Sequence, residues 1–336
     1  MNMNNQQKWI GGIIGVVVIL GLIWWSVGAD FGGGTSEEPL QKVKIADLPV
    51  IHGLPLYLAL EKGYFKEAGI DAELVKIDAP NLIIDSLLAG SVDFASPSGA
   101  LGITGIAAFN KPGSLQIWGV AGGDDTVSSS SISVPLDSTA TSIQDLKGKK
   151  IGVLPGIQWR TIARHILAEN NLVDSDVQLV ELAPGLQATA LASKQVDALL
   201  AVEPIPTIVK QKNIGRDIVS GAAEKWVANP FYGGAGVVRT EFAEQNPELT
   251  EKVLGVFDKA IKEIRKNPEA AKQYYKGYTP LEDAIIPQAP VLRFKMYNEL
   301  TADEVSAIQK FYDIFTTYEV IKGKINVREL IYSPSS

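Results

Sequence analysis

Apolar and polar positions follow two different periods along the chain from residue 42 onwards. Short apolar runs bounded by turn residues predict strands, and apolar residues spaced three or four apart predict helices. The first series is predicted as strand 43–48, helix 55–62, strand 71–77, helix 81–89, strand 92–95, helix 99–109 and strand 115–121. Strands that alternate with helices predict a largely parallel sheet covered by helices on both faces.

A second series of the same kind begins after residues 122–131, which are rich in glycine and serine. Its predicted elements are strand 150–154, helix 159–170, strand 177–181, helix 186–193, strand 196–202 and helix 204–212. A glycine-rich apolar strand at 229–239 predicts the return to the first lobe, and helices follow at 247–266, 268–275 and 302–318. We therefore predict two α/β lobes: residues 42–122 plus 233–336 form lobe 1, and residues 123–232 form lobe 2. A cleft between such lobes suits a small ligand, and hinge closure is the expected motion.

The N-terminal region carries a long uncharged segment at residues 9–29. About twenty apolar residues in a helix are just long enough to cross the hydrocarbon core of a bilayer. Trp9 at one end and Trp24 and Trp25 at the other are typical of side chains that anchor at the two membrane surfaces. We predict a membrane anchor within residues 1–29, followed by a flexible acidic linker at residues 30–41.

A cleaved signal peptide is the alternative interpretation of this segment, because residues 27–29 (Val-Gly-Ala) fit a small-residue cleavage site. Lys8 precedes the apolar segment, and Asp30 and Glu37 follow it, so the N-terminus is predicted inside and the body outside. Both interpretations place the body in the periplasm or on the outer face of the cytoplasmic membrane.

The composition excludes several classes of function. The 336 residues are 46% hydrophobic and 21% charged, which is ordinary for a folded protein. The net charge is −7 and no basic run occurs, so nucleic acid is not an expected partner. The chain has no cysteine, which excludes disulfides, thiolate catalysis and a lipidated N-terminal cysteine. With His52 and His165 as its two histidines, neither a histidine-built metal site nor a cofactor is expected.

Candidate ligand contacts in lobe 1 lie in loops next to the predicted strand ends. His52 follows the first strand and faces the predicted cleft, or is simply a polar loop residue. Ser96 and Ser98 precede a predicted helix start, where hydroxyls and N–H groups form either an anion site or an ordinary N-cap. Outside these loops, Tyr232, at the return crossing where predicted lobe 2 ends, is predicted as an aromatic wall for the ligand.

Lobe 2 offers a matching set of candidates. Gly156 permits close backbone approach, and the Gln158 side chain can donate or accept a hydrogen bond. Arg160 either clamps a sulfonate or carboxylate or lies in solvent. Glu203 either faces the cleft, where it would suit an amine or cationic ring, or caps the helix that begins at Pro204.

Four stretches of sequence carry a family resemblance. They are residues 60–65 (Leu-Glu-Lys-Gly-Tyr-Phe), 88–95 (Leu-Ala-Gly-Ser-Val-Asp-Phe-Ala), 147–153 (Lys-Gly-Lys-Lys-Ile-Gly-Val) and 196–204, which ends in Glu-Pro. The chain resembles the solute-binding proteins of ABC importers for aliphatic sulfonates, nitrate and taurine, a family that also includes binders of thiamine-pyrimidine precursors. The resemblance implies a type II periplasmic-binding-protein fold in two lobes. It also implies a monomer that binds a small solute and delivers it to permease subunits.

Two departures from the family pattern change what we expect of the membrane attachment and of the ligand. The lipidation cysteine is missing, so the predicted anchor would replace the lipid and hold the binder near its permease. Ile157 and Trp159 are bulky where the family commonly has small hydroxyl residues. This difference favours a pyrimidine-type or aromatic ligand over a simple sulfonate.

Two other functions compete with solute delivery. The pyrimidine-synthase branch of the family relies on a cysteine-rich motif, and this chain has no cysteine, so an enzyme is not expected. A membrane-anchored sensing domain that works with a signalling partner is the alternative.

Overall fold

The computed structural model describes residues 39–334 of the chain. The predicted anchor or signal segment, residues 9–29, lies outside the described residues, as does most of the predicted linker. Between residues 39 and 334, no helix is both long enough and apolar enough to cross a membrane. Residues from Leu40 onwards form one compact unit.

The first lobe is built on a six-stranded sheet, sheet A. Its strands are β1 (Gln41–Asp47), β2 (Ile70–Lys76), β3 (Phe94–Ala100), β4 (Leu115–Gly123), β10 (Phe231–Arg239) and β11 (Arg293–Met296), in the spatial order β11-β4-β10-β3-β1-β2. The strand β1 runs parallel to β2 and β3, whereas β10 is antiparallel to β3 and β4, and β11 is antiparallel to β4.

The second lobe is built on a five-stranded sheet, sheet B. Its strands are β5 (Ser130–Pro135), β6 (Lys150–Val153), β7 (Gln178–Glu181), β8 (Ala198–Val202) and β9 (Gly215–Ser220), in the spatial order β7-β6-β8-β5-β9. The strand β6 is parallel to β7 and β8, and β5 is antiparallel to β8 and β9. The chain thus forms β1 to β4 in sheet A, then β5 to β9 in sheet B, and returns to sheet A with β10 and β11, as expected for two lobes.

The helices lie between the strands and after β10. They are α1 (Leu54–Glu61), α2 (Tyr64–Glu67), α3 (Pro80–Leu88), α4 (Leu101–Asn110), α5 (Ile157–Glu169), α6 (Pro184–Ala192), α7 (Ile205–Gln211), α8 (Ala222–Trp226), α9 (Thr240–Gln245), α10 (Pro247–Lys266), α11 (Pro268–Ala271), α12 (Ala302–Thr317) and α13 (Val327–Leu330). Short 3-10 turns occur at Ile51–Gly53, Gln144–Leu146, Asp174–Asp176, Lys272–Tyr275, Ile286–Gln288 and Tyr297–Glu299.

The prediction of largely parallel sheets is wrong, because both sheets are mixed. Parallel pairing is confined to β2-β1-β3 and β7-β6-β8, where helices connect the strands. The strands next to the lobe crossings, β4, β5 and β10, pair antiparallel. The strands β5 and β10 each enter from the other lobe rather than through a helical crossover within their own sheet, so they run against their neighbours, and β4 pairs antiparallel because β10 lies beside it.

Aromatic side chains fill the core on both sides of sheet A. Trp118 of β4 stacks on Phe257 of α10, with ring centroids 4.2 Å apart. On the opposite side Phe231 packs edge-on against Phe311 of α12, at 5.3 Å. The face of α10 that carries Phe257 is buried as its spacing predicts, and it fixes the helix on the sheet.

Two chain segments cross between the lobes, residues 124–129 and residues 221–230. The buried Glu224 carboxylate ties them together, since Oε1 accepts from the Ser129 backbone N–H at 2.6 Å and Oε2 accepts from the Ser130 hydroxyl at 2.9 Å. The Asn229 side-chain amide donates to Asp125, a second link between the crossings. These bonds fix the joint about which the lobes would move.

Candidate functional site

A small cavity lies between the two lobes at the carboxyl ends of β1, β6 and β8. Its wall is formed by Leu48, Val50, His52, Pro80, Ser98 and Ala100 with Gly233 and Gly234 from the first lobe, and by Leu154, Gln158, Trp159 and Val202 from the second. Its volume is about 20 Å³, which is room for about one water molecule. A larger solute therefore fits only after the lobes separate.

His52 lies in the turn before α1 and forms part of the cavity wall. The side chain is buried, and within residues 39–334 Nδ1 has no hydrogen-bond partner. Burial lowers the pKa of the imidazole to about 4, so the ring is neutral at neutral pH. A neutral imidazole with an unused ring nitrogen can donate to a ligand or accept from it, depending on the tautomer.

Beneath the first-lobe wall lies a buried polar cluster around the Asp47 carboxylate at the end of β1. Its Oδ1 accepts from the hydroxyls of Ser96 at 2.5 Å and Ser98 at 2.8 Å, and its Oδ2 accepts from the Tyr57 hydroxyl at 2.7 Å. Burial raises the pKa of Asp47 to about 6, although the three hydroxyl bonds act in the opposite direction. Ser96 is fully buried, and Ser98 reaches the cavity wall.

This cluster corrects the interpretation of the Ser-Pro-Ser-Gly stretch. Residues 96–99 belong to β3, and α4 begins at Leu101 without a side-chain N-cap. The serine hydroxyls are therefore bonded to Asp47 rather than placed at a helix N-terminus. Sequence reasoning missed Asp47 and Tyr57. The available signal was the aspartate that ends β1 directly after the apolar residues Ile45 and Ala46.

Gln158, in the first turn of α5, connects the second lobe to the first. Its Oε1 accepts from the backbone N–H of Gly102 at 2.7 Å, and its Nε2 donates to the carbonyl oxygen of Gly233 at 3.0 Å. The side chain is 2% exposed. Gly156, two residues earlier, has a φ of 101°, and a Cβ there would lie 3.4 Å from Asn81 Oδ1 of the first lobe. A glycine thus suits both the backbone conformation and the close approach of the lobes.

Glu203 directly follows β8, whose last residue, Val202, lines the cavity, but Glu203 is not itself part of the wall. Its carboxylate accepts from the backbone N–H of Thr207 at 3.2 Å, in the first turn of α7. Burial raises the pKa of Glu203 to about 7, since the hydrogen bond and Lys210 offset only part of the desolvation. The structure therefore shows the helix-capping geometry that was the alternative prediction.

Arg160 and Tyr232 lie outside the cavity wall. Arg160 is half-exposed and forms an ion pair with Glu181 of β7, which leaves its guanidinium on the surface. The Tyr232 side chain is buried on the first lobe, where its hydroxyl donates to Glu304 Oε1 at 2.7 Å. Of the eight predicted residues, His52, Ser98 and Gln158 meet at the cavity, with Gly156 and Ser96 next to it.

The cavity wall is neutral. Among residues 39–334 it includes no lysine, arginine, aspartate or glutamate. No group of three or more metal-binding side chains occurs in the described part of the chain. The arrangement can bind through hydrogen bonds from His52, Ser98 and Gln158 and through apolar contact with Trp159.

The architecture is the two-lobe α/β fold of periplasmic binding proteins. The alkanesulfonate-binding protein SsuA from Xanthomonas axonopodis pv. citri, solved with bound MOPS, superposes with a TM-score of 0.71 at 19% identity. The match covers 87% of this chain and 98% of that one. At this identity the similarity shows the fold, and it confirms the two lobes expected from the sequence.

The chain belongs to the NMT1/THI5-like family, whose model matches residues 52–271, more than half of the chain. A Bacillus subtilis protein provisionally named aliphatic sulfonates-binding protein is 25% identical over 326 residues, 94% of each chain. A Saccharomyces cerevisiae relative, 4-amino-5-hydroxymethyl-2-methylpyrimidine phosphate synthase THI11, is 22% identical over 244 residues, 69% of each chain. The family expected from the sequence is thus confirmed, and its named members include both binders and a synthase.

Proposed function

We propose that this protein is the extracytoplasmic solute-binding component of an ABC importer. It captures a small solute in the cleft between its lobes. The proposed division is residues 42–122 plus 233–336 as lobe 1 and residues 123–232 as lobe 2, except that Gly123, Phe231 and Tyr232 lie in strands of sheet A and so go with lobe 1. The ligand is of a sulfonate, pyrimidine or aromatic type. We propose no catalytic step.

The observation that carries this proposal is the placement of polar side chains from both lobes around one cavity. His52 and Ser98 come from the first lobe, and Gln158 comes from the second. A solute held by both sides stabilises the closed arrangement, because it contacts the two lobes at once only when they are together. An enzyme would need a group that attacks or transfers a proton. In this wall, within residues 39–334, only the His52 imidazole and the Ser98 hydroxyl are of that kind, and the two are not bonded to each other.

The closed cavity supports a cycle of opening and closing. A space of about 20 Å³ is far smaller than the 300–1,000 Å³ typical of ligand pockets, so binding requires the lobes to separate. The crossings at residues 124–129 and 221–230 provide the only covalent links between the sheets in the described chain. Rotation about these two segments would open the cleft without disturbing either sheet.

Location and partners follow from the same proposal. Residues 9–29, as anchor or cleaved signal, place the body outside the cytoplasmic membrane, where a monomer delivers solute to permease subunits. The anchor would raise the effective concentration of the binder at its permease. The B. subtilis relative named for aliphatic sulfonates makes sulfonates the first class to test.

A thermal-shift screen of the full chain tests the proposal. The panel holds alkanesulfonates, nitrate, pyrimidines, aromatic acids, amides and amines. A ligand at about a hundred times its Kd adds roughly 2.7 kcal/mol of stability, which raises the melting temperature clearly. We expect one class of compound to bind saturably. His52→Ala should lower the affinity for that compound at least tenfold, and Lys252→Ala on the surface should leave the affinity unchanged. A folded sample that responds to no compound would contradict the proposal.

A further inference from the structure

The polar cluster beneath the cavity determines which hydrogen bonds the first lobe can make. Ser96 and Ser98 each have one hydroxyl proton, and both hydroxyls lie within 2.8 Å of Asp47 Oδ1. An ionised carboxylate only accepts hydrogen bonds, and Ser96 has its shorter contact, 2.5 Å, with Asp47. The Ser98 proton is donated to Asp47 Oδ1 or to Ser96 Oγ, each 2.8 Å away, so both protons stay within the cluster. The same two serine oxygens also accept, from the backbone N–H of Ser98 and of Leu48.

Ser98 is the member of this cluster that reaches the cavity wall. Its proton is donated within the cluster, to Asp47 or to Ser96 Oγ, and one of its two lone pairs accepts the Leu48 N–H at 2.8 Å. What Ser98 can still offer to a ligand is its second lone pair, which accepts a hydrogen bond. Turning the hydroxyl proton towards a ligand would remove a donor from a buried carboxylate, which is costly.

In the described part of the chain, the rest of the wall offers no positive charge that would favour a ligand with only acceptor atoms over a ligand with a hydrogen-bond donor. Within residues 39–334 the wall carries no cation, and the Asp47 charge lies directly behind the Ser98 hydroxyl. An oxyanion such as a sulfonate presents only acceptor oxygens, which would face a lone pair and a nearby negative charge. A group with an N–H would meet an acceptor there instead.

We propose that Asp47 is a specificity-determining positioning residue. By keeping the Ser96 and Ser98 hydroxyl protons within the cluster, it makes the first-lobe wall accept hydrogen bonds at Ser98, while the neutral His52 imidazole can accept or donate, so that the site selects solutes bearing an N–H donor over oxyanions of the same shape. This inference rests on the proposed function, because it assigns a ligand chemistry to the same cleft.

Matched ligand pairs test the inference directly. Ethanesulfonate and ethanesulfonamide, benzenesulfonate and benzenesulfonamide, and benzoate and benzamide each differ by replacing an anionic oxygen with an NH₂ group. Titration calorimetry on the full chain in mild detergent gives the affinity ratio within each pair. We expect the amide member of at least one pair to bind at least tenfold more tightly than its anion. Tighter binding of the anions would overturn the inference.

The Asp47→Asn variant tests the role of the carboxylate. Because Tyr57 donates to Oδ2, the new amide keeps its oxygen on that side and turns its NH₂ group towards the serines. The amide then donates to the serine oxygens, and the hydroxyl protons become available to the ligand. We expect the amide-to-anion ratio to fall at least tenfold, whereas a general weakening of the site would lower both affinities together. Asp85→Asn, on the exposed face of α3, is the matched control and should leave the ratio unchanged.

A second variant keeps the inference testable if Asp47→Asn does not fold. Ser98→Ala retains the Asp47 charge and removes the accepting oxygen, so it should weaken the amide members more than the anions. An unchanged ratio in the folded variants contradicts the role of Asp47. If no pair binds while the wider screen finds another solute, the inference fails and the proposed function stands. If the wider screen also finds nothing, the proposed function fails as well.

Discussion

The side-chain oxygen of Gln158 lies 2.7 Å from the backbone nitrogen of Gly102, which belongs to the other lobe. Gly102 is in the first turn of α4, where backbone N–H groups have no partner within the helix. Gln158 thus supplies a cap to α4 from across the cleft, and its Nε2 bonds the Gly233 carbonyl at the same time. The side-chain amide of Gln158, from the second lobe, therefore helps to hold the two lobes together in the closed arrangement.

Gln158→Ala removes both bonds across the cleft. It leaves the Gly102 N–H and the Gly233 carbonyl without their partner, so the closed state should lose about 1–3 kcal/mol. Hydrogen exchange of the Gly102 amide should accelerate at least tenfold. Gln245→Ala on the exposed surface is the control and should leave this amide unchanged. Equal protection of Gly102 in all three proteins would show that Gln158 does not hold the lobes together.

Glu203→Gln should change how stability depends on pH. The pKa of Glu203 is 4.5 in its reference state and about 7 when folded, so the folded protein binds the proton more tightly. The free energy of unfolding therefore falls as pH rises from about 4.5 towards 7, by on the order of 3 kcal/mol from this residue. Asp47 and His52 titrate in both proteins, so urea unfolding across this range should show the Glu203 contribution as the difference in pH dependence between wild type and variant. Glu244→Gln, at an exposed position, should follow the wild type, and a variant with the same pH slope as wild type would refute the assignment.

His52→Gln should have the opposite effect on the pH dependence. The imidazole pKa is lowered from 6.5 to about 4 in the folded protein, so protonation favours the unfolded chain. The stability due to this shift is complete above about pH 6.5 and is lost as pH falls towards 4, by on the order of 3 kcal/mol. The variant should therefore be less sensitive to acid than the wild type when melting temperatures are compared at pH 7.5 and 4.5. Parallel loss of stability in both proteins would mean that His52 is not buried as described.

Glu224→Ala should weaken the joint between the lobes. Its carboxylate accepts from the Ser129 N–H and from the hydroxyls of Ser129 and Ser130, and the substitution leaves these buried donors without a partner. We expect a loss of stability of at least about 3 kcal/mol, because each of the three buried donors that stays unsatisfied costs about 1–3 kcal/mol. Chemical denaturation measures it, with exposed Glu244→Ala as the control. A loss no larger than that of the control would contradict the role of Glu224 at the crossings.

The strongly periodic elements could be predicted from the sequence. The helix expected at residues 247–266 is observed as Pro247–Lys266, because a long amphipathic stretch that begins at proline has both a clear period and a clear start. The strand expected at the return crossing is observed as Phe231–Arg239. The two-lobe α/β architecture followed from two such series separated by a change in composition.

The strand β5, which begins within the serine-rich crossing, was not predicted from the sequence. Residues 122–131 were expected as a composition break, yet β4 extends to Gly123 and β5 begins at Ser130. Ser130 and Ser133 are buried in β5 because Glu224 and Asp217 accept their hydroxyl protons. Those partners are more than eighty residues away in sequence, so local composition carries no sign of them.

The sequence could predict which loops form the candidate site, but it could not predict which side chains in those loops face the cavity. The positions of His52, Ser98 and Gln158 at strand ends suggested a shared cleft, and the structure brings them to one cavity. Arg160 and Tyr232 occupy similar positions in sequence, but their side chains turn to Glu181 and Glu304. Side-chain direction depends on charged partners from distant elements, which spacing along the chain does not reveal. Ligand contact by any of these residues stays a prediction.

A distance measurement across the cleft tests the central claim that the lobes close on a solute. Leu82 and Leu186 are 50% and 59% exposed and lie on opposite lobes, in α3 and α6. The chain has no cysteine, so Leu82→Cys with Leu186→Cys places two spin labels without competing sites. The account predicts a broad distance distribution without solute and one narrow population, at the closed distance, with a saturating hit from the thermal-shift screen. An identical distribution with and without a solute whose binding is proven by titration would contradict it.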